Sequence, residues 1–341
     1  MRQHQTPVTP MTGQAPAAAS TVLIWVALGI VYLVWGSTYL AIRVVVHDMP
    51  AMASASWRYL TAAVVLAGLL SLRSGLGRLR ARPAELAGCA VLGLLLPALG
   101  NGVVSIGEQM GAPSGVAALL VAAVPLWIIV YRAVSGDRPS ARTTFGVLLG
   151  FAGLIALIVA GGAGGEIKVL PCLVIIGATV CWSLGSWSMP RLTLPRDPFV
   201  VTVYEMLFGG VFLVAGALIR GEDVVPQAAS LHSWLAWGYL VVFGSVVAFT
   251  AYVWVLDAAP ISLVATYAYV NPIVAVFLGW LILAEPVSWP ILVGGVVVVF
   301  AVALVVAAER HARKVSPGTE TPPGAPPEAQ RSTTPRQPAK T

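Results

Sequence analysis

The chain has 341 residues, of which 58% are apolar and 10% charged, and its mean hydropathy is +0.86. This composition excludes a water-soluble globular domain and predicts a membrane protein. The formal net charge of +6 is concentrated in short loops, as described below, so it indicates no nucleic-acid partner.

Ten apolar segments are long enough to cross a lipid bilayer, because about 20 helical residues span its hydrocarbon core. They lie at residues 22–42, 52–72, 85–105, 113–133, 143–162, 168–188, 199–219, 233–255, 261–283 and 289–308. We therefore predict an all-α membrane protein with ten transmembrane helices. A polar head, residues 1–21, precedes the first span. The Pro-rich tail, residues 309–341, cannot bury a core and is expected to be disordered.

The first five spans are repeated in the second five. Residue pairs that match at an offset of 147 or 148 are Trp35 and Trp182, Arg58 and Glu205, Pro113 and Pro260, Pro125 and Pro272, and Asp137 and Glu285. Because each repeat has an odd number of spans, the two halves are predicted to be inverted copies, at residues 22–162 and 168–308. Inverted repeats are typical of secondary transporters.

Arginine and lysine set the predicted orientation, since they favour short cytoplasmic loops. They cluster after the second, fourth, sixth and tenth spans, at residues 73–82, 132–142, 191–196 and 310–314. We expect the N- and C-termini to be cytoplasmic. The preference for Arg over Lys and the many Ala, Gly and Val residues are typical of a high-GC bacterial genome. We expect a multi-pass protein of the bacterial cell (inner) membrane.

Two ionisable residues, Arg58 and Glu205, lie well inside predicted spans. Such residues are costly in a bilayer and usually face a cavity. The inversion places them at opposite depths, too far apart for an easy direct salt bridge. Arg58 suits a substrate carboxylate because guanidinium offers a bidentate fork, whereas Glu205 can bind and release a proton. The alternative is that both snorkel toward the nearby interface or pair with local backbone groups.

Glu108 is a second candidate for proton coupling. It follows Asn101 by seven residues, which places both on one helical stripe, and it would extend a polar path to the external mouth. The ordinary explanation for Glu108, as for Glu285, is solvent contact at a helix end.

Uncharged polar and aromatic residues cluster in four spans and are predicted to line a central cavity. They are Trp35, Ser37 and Thr38 in the first span, Asn101 in the third, Trp182 and Ser186 in the sixth, and Tyr267, Tyr269 and Asn271 in the ninth. In the ninth span, Ser262, Thr266 and Tyr269 share one helical face. The alternative for each residue is hydrogen bonding between helices.

The repeat mates Pro125 and Pro272 are predicted to interrupt the fourth and ninth spans as gating kinks, with a static packing kink as the alternative. Gly146 and Gly150 form a GxxxG pattern that permits close helix contact, and the oligomeric state is left open.

The sequence indicates no enzyme, cofactor or metal site. Its histidines and cysteines lack metal-ligand spacing, and the glycine run at 161–165 lacks the Lys-Ser/Thr of a nucleotide-binding loop. The alternative functions are a membrane-embedded enzyme or a receptor-like or structural helix bundle. Both leave the inverted repeat and the buried Arg58 and Glu205 unexplained.

Five short motifs give the chain a family resemblance. They are Trp35–Tyr39 (WGSTY), Gly100–Gly102 (GNG), the run Pro113–Pro125, Glu205–Leu207 (EML) and Tyr267–Pro272 (YAYVNP). The chain resembles the drug/metabolite transporter superfamily, specifically EamA-type transporters of the YedA-like subgroup. The resemblance implies two EamA repeats around a central cavity and alternating access. It also implies export of small metabolites or amino-acid-like or drug-like compounds, coupled to protons or to exchange. The partners it implies are a small-molecule substrate and the lipid bilayer.

Overall fold

The computed structural model describes residues 21–165, 167–224, 229–259 and 261–315. The predicted head and most of the predicted tail lie outside these ranges. Within them all regular structure is helical, as predicted. The ten spans are α1 (Thr21–Asp48), α2 (Ala51–Ser74), α3 (Pro83–Gln109), α4 (Ser114–Val134), α5 (Ala141–Ala163), α6 (Val169–Arg191), α7 (Pro198–Ile219), α8 (Leu231–Leu256), α9 (Tyr267–Leu283) and α10 (Trp289–Val315).

The helices match a membrane environment in length and surface. Among the described residues, nine helices are long and apolar enough to cross a membrane, and α9 is a shorter apolar helix. Large apolar side chains such as Leu33, Val64, Leu148, Val159 and Phe300 are exposed on the outside of the bundle. Lipid acyl chains tolerate such a surface, whereas water would not.

Repeat mates pack against each other across the two halves. Helix α2 packs along α7, and α5 packs along α10; α1 contacts α8 and α9, while α6 contacts α3 and α4. The largest apolar cluster lies between α4, α5, α6 and α10 and includes Leu126, Leu157, Ile175 and Val298. Neither half therefore has a core of its own that is independent of the other.

Two π-helical segments occur at equivalent places in the repeats, Leu94–Gly102 in α3 and Leu240–Val247 in α8. Pro97 explains the first, since proline lacks a backbone N–H and disturbs the preceding turn. Its repeat position in α8 is Gly244. Such wide turns leave backbone carbonyls free for other partners and are frequent at functional sites.

The fourth and ninth spans are both interrupted, but only one of them at its proline. Helix α4 breaks at residues 122–123, directly before Pro125. Pro272 lies inside α9, which continues through it without a break, and the gating kink at Pro272 stays a prediction. The ninth span breaks instead at residues 265–266, where the Thr266 hydroxyl donates to the Leu263 carbonyl and so competes with the helical pattern. The predicted polar face from Ser262 to Tyr269 is therefore not part of one continuous helix.

Glycines allow α3 and α7 to meet backbone to backbone. A Cβ atom added at Gly93 would lie 2.8 Å from both the Glu205 carbonyl oxygen and the Gly209 amide nitrogen. Backbone atoms cannot move aside as the end of a flexible side chain can. This contact fixes the position of α7 along the axis of α3, and hence the position of Glu205.

We expect Gly93→Ala to lower the melting temperature of the detergent-solubilised protein by about 5 °C, because overpacking costs about 1–3 kcal/mol. The matched control is Gly68→Ala in α2, where an added Cβ meets nothing within 4 Å, so its melting temperature should stay the same or rise. Fluorescence-detected size-exclusion chromatography after heating measures both variants. Equal melting temperatures for the two would contradict the close contact.

Candidate functional site

Arg58 is a buried cation without a charged partner. It lies two turns into α2 and is 6% exposed. Its Nε donates a hydrogen bond to Ser245 Oγ at 3.1 Å, and its Nη1 donates one to Asn101 Oδ1 at 3.3 Å. Both acceptors are neutral, and no carboxylate pairs with Arg58 within the described ranges. The positive charge is therefore solvated by hydrogen bonds but not neutralised.

Both partners of Arg58 come from the π-helical segments. Asn101 belongs to the segment in α3 and Ser245 to the segment in α8, so one irregular stretch from each half meets at the guanidinium. Asn101 is among the predicted cavity residues, whereas sequence reasoning missed Ser245. The available signal was that Ser245 is the one polar residue between positions 240 and 248, the stretch that matches Pro97 in the repeat.

The space beside Arg58 is small in this conformation. A cavity of about 10 Å³ is lined by residues of α1, α2, α3 and α8, including Val45, Ser54, Ser105 and Trp237. This volume holds about one water molecule. A larger ligand therefore reaches the guanidinium only when these helices move apart.

An aromatic cluster contacts the π-helical segment of α8 through Trp35. The ring centroids of Trp35 and Tyr267 are 5.4 Å apart, and Tyr252 lies 4.9 Å from Trp35 and 5.7 Å from Tyr267. Trp35 Nε1 donates a hydrogen bond to the Gly244 carbonyl at 3.2 Å. Trp35 and Tyr267 were both predicted to line one cavity, and the structure brings them together. Tyr252 was missed because its helix offered no polar cluster.

Several predicted cavity hydroxyls are already used within the protein. Ser37 Oγ lies 2.6 Å from the Tyr239 hydroxyl, which joins α1 to α8. Thr38 is buried and donates to the Trp35 carbonyl at 2.6 Å. Ser186 donates to the Trp182 carbonyl at 3.0 Å. These contacts fit the alternative of structural hydrogen bonding.

Trp182, Thr266 and the polar residues of α9 are buried or half-buried. Trp182 packs over Gly100, where an added Cβ would lie 2.7 Å from the indole ring. Asn271 is buried, and its Oδ1 has no hydrogen-bond partner within the described chain. Tyr269 is half-buried, and Thr266 Oγ1 forms a hydrogen bond with the Tyr32 hydroxyl. Asn271 thus presents an unpaired acceptor.

The structure corrects the expected solvent contact of Glu108. Its side chain is fully buried, and neither carboxylate oxygen has a hydrogen-bond partner within the described residues. The Arg43 side chain donates to the backbone carbonyl of Glu108. Helix α1 continues to Asp48, beyond the predicted end at residue 42, and covers this end of α3. That extension is the reason why the prediction failed.

Glu205 is half-buried in α7. It forms no ion pair with Arg58 in the described part of the chain. Its backbone carbonyl is the oxygen that approaches Gly93. The two carboxylates that sequence analysis proposed for proton coupling therefore differ: Glu108 is fully enclosed, and Glu205 keeps some exposure.

Two further features do not form a site. Among the described residues no group of three or more His, Cys, Asp or Glu is arranged to hold a metal ion. An apolar groove of about 660 Å³ lies between α9 and α10 and is lined by residues such as Pro272, Phe277, Trp280 and Phe300. It belongs to the outer, lipid-facing surface and offers almost no polar group to orient a ligand.

Sequence and structure comparisons agree with this architecture. Residues 22–159 and 169–307 each match the EamA-like transporter family. The chain is 38% identical over 283 residues to an uncharacterized inner membrane transporter, YedA, of Escherichia coli (strain K12), covering 82% of this chain and 89% of that protein. It is 26% identical over 264 residues to the "Probable terminal-alkyne amino-acid exporter" of Streptantibioticus cattleyicolor, covering 73% and 86%.

A crystal structure with 19% sequence identity shares the fold, with a TM-score of 0.57 over 86% of this chain and 98% of the other. Two copies of the family domain account for ten helices in two repeats, as predicted. With a relative of this identity named as an inner membrane transporter, the assignment extends to location and general function. The chain belongs to the EamA-like transporter family and is a multi-pass inner-membrane transporter.

Proposed function

We propose that the protein exports small carboxylate-bearing metabolites, amino-acid-like compounds among them. The observation that carries this proposal is the buried Arg58, whose hydrogen bonds within the described residues go to the neutral Ser245 and Asn101. An uncompensated cation is costly at membrane depth. A substrate carboxylate would supply the opposite charge and match the planar guanidinium. The name of the Streptantibioticus relative, "Probable terminal-alkyne amino-acid exporter", supports the same class.

The substrate would bind between the repeats, residues 22–162 and 168–308, which would alternate access to the two sides. The proposed binding residues are Trp35, Ser37, Thr38, Arg58, Asn101, Trp182, Ser186, Tyr267, Tyr269 and Asn271, with Ser245 and Tyr252 added from the structure. The break before Pro125 in α4 and the break at residues 265–266 are the proposed hinges, since both lie in spans whose backbone pattern is already interrupted.

Both termini are proposed to be cytoplasmic, on the strength of the arginine-rich loops. In that orientation Glu108 lies near the external side and Glu205 toward the cytoplasm. A proton entering at Glu108 and leaving at Glu205 would move down the usual gradient, which can drive export by antiport. Exchange of one substrate for another is the second coupling mode that the same binding site permits.

The test is uptake into proteoliposomes of the purified protein. A panel of labelled amino acids and other carboxylates is compared with their amide or ester analogues, with and without an imposed pH gradient, and against protein-free liposomes. Saturable transport of a carboxylate, and little transport of its neutral analogue, is expected. Transport of neutral analogues at equal rates would contradict the assigned role of Arg58.

We expect Glu205→Gln to slow gradient-driven transport about tenfold and to leave substrate exchange within about twofold of normal, because glutamine keeps the shape but cannot carry a proton. Both rates are measured in the same proteoliposomes. Glu309→Gln is the control, since Glu309 pairs with Arg132 at the end of α10, outside the proposed proton path. Equal losses in both modes would assign Glu205 a structural role.

A further inference from the structure

The fourth and ninth spans, which are repeat mates, contact each other unequally along their length. The first part of α4, Ser114–Val121, packs against α9, whereas the second part, Val124–Val134, makes no comparable contact with it in the described structure. Gly115 allows the close approach, since an added Cβ would lie 3.0 Å from Val276 Cα. In the proposed orientation the packed part is external and the separated part is cytoplasmic.

A carboxylate closes the packed end. Glu285, just after α9, accepts hydrogen bonds from the Ser114 amide at 2.8 Å, the Ser114 hydroxyl at 2.9 Å and the Gly115 amide at 3.2 Å. These amides are free N–H groups at the start of α4, where a negative charge is favoured. We call this contact of Glu285 with Ser114 and Gly115 the clasp. It joins the two halves of the protein directly.

The backbone around the clasp is shaped to place Glu285. Ala284 has a φ of 51° and is the one non-glycine residue with positive φ in the described chain. This left-handed residue turns the chain back at the end of α9, at a cost that glycine would not incur. At Gly279, an added Cβ would lie 2.5 Å from Glu285 Oε2 and 2.9 Å from Ser114 Oγ. Gly279 therefore provides the room that the carboxylate occupies.

The repeat mate of Glu285 pairs differently within the part of the chain that the structure describes. Asp137 lies at the matching position after α4, and its carboxylate accepts a hydrogen bond from Arg132 of its own half at 2.7 Å. The two halves are otherwise related by inversion. An inward-facing state would therefore become an outward-facing one if the two halves exchanged conformations. Arg132 also pairs with Glu309 at the end of α10, so the cytoplasmic end is joined by a different contact, between α4 and α10. Because the contacts at the two ends differ, these two states are unequal in free energy.

We propose that the clasp is a one-sided lock that holds the external end of α4 and α9 closed and makes the inward-facing state the resting state. This inference rests on the proposed orientation and on alternating access. A carrier that rests open to the cytoplasm is ready to load substrate there, which suits export. Substrate binding would have to break the three hydrogen bonds before the external side opens.

The experiment measures external access without measuring transport. Ala118 is fully buried and lies one turn below Ser114 on the same face of α4. Ala118→Cys is made in a background in which Cys89, Cys172 and Cys181 are replaced by alanine. Intact cells are then labelled with a membrane-impermeant thiol reagent.

Glu285→Gln and Gly279→Ala should each raise the labelling rate about tenfold, the first by weakening charge-assisted hydrogen bonds and the second by displacing the carboxylate. Asp137→Asn, the repeat-mate control, should leave the rate unchanged. Three results would each overturn the proposal: unchanged labelling in both clasp variants, an equal rise in Asp137→Asn, or a rise confined to inside-out vesicles. Size-exclusion profiles check that each variant is folded. Transport by the same variants is measured separately, so a faster labelling rate in a variant that still transports tests the clasp independently of the proposed function.

Discussion

Arg58→Ala is expected to reduce transport of a carboxylate substrate about a hundredfold. A charge-assisted pair in a site of low dielectric contributes roughly 3 kcal/mol, and each 1.4 kcal/mol is about a tenfold change in binding. The loss should appear in KM for the carboxylate, because the guanidinium would bind substrate and not perform chemistry. Proteoliposome uptake over a range of substrate concentrations measures it.

Two controls separate substrate binding from folding. Arg58→Lys keeps the charge but loses the planar fork, so we expect an intermediate loss of about tenfold. Arg191→Ala removes an exposed arginine that lies over Trp187 at the end of α6 and should transport normally. An aggregated size-exclusion profile or a melting temperature well below normal for Arg58→Ala would show that Arg58 supports the structure and that the lost transport does not report carboxylate binding.

Glu108→Gln is the second change with a large expected effect. The carboxylate is fully buried, and neither oxygen has a hydrogen-bond partner among the residues that the structure describes. Such burial is expensive for a charged group and is tolerated where the charge state changes in function. We expect gradient-driven transport to fall tenfold or more, with exchange retained. Because glutamine removes a charge from a buried site, the melting temperature should not fall.

The matched control for Glu108 is Glu222→Gln at the same end of the bundle. Glu222 has a defined structural partner, since its Oε2 accepts hydrogen bonds from the Met52 and Ala53 amides at 2.9 and 3.0 Å. Its replacement should lower stability without changing the ratio of gradient-driven to exchange transport. If Glu108→Gln instead left that ratio unchanged, Glu108 would have no part in coupling.

The architecture was predictable because hydropathy and repeats are properties of composition and spacing. A bilayer admits only apolar helices of sufficient length, and pairs such as Trp35 and Trp182 keep register between the halves. The same reasoning found Arg58, since a charge within an apolar span is visible in one sequence. It was less reliable for helix ends: α1 extends six residues past its predicted end, to Asp48.

Proline position was a weaker guide. Pro272 lies inside an unbroken α9, whereas the break at residues 265–266 has no proline in it. In a packed membrane bundle, neighbouring helices and hydroxyl groups satisfy the backbone that proline frees, so the helix continues. A local rule based on proline therefore did not locate the break in the ninth span.

The sequence by itself determined the membrane class, the ten spans, the two repeats and the residue types suited to a transport site, because these follow from hydrophobicity, charge and periodicity along the chain. The tertiary structure decided which groups have partners. It showed that Arg58 reaches Ser245 and Asn101, that Glu108 is enclosed, and that Glu285 binds the start of α4. Such contacts join residues far apart in the chain, and their energies depend on distance and burial, which one sequence does not encode locally.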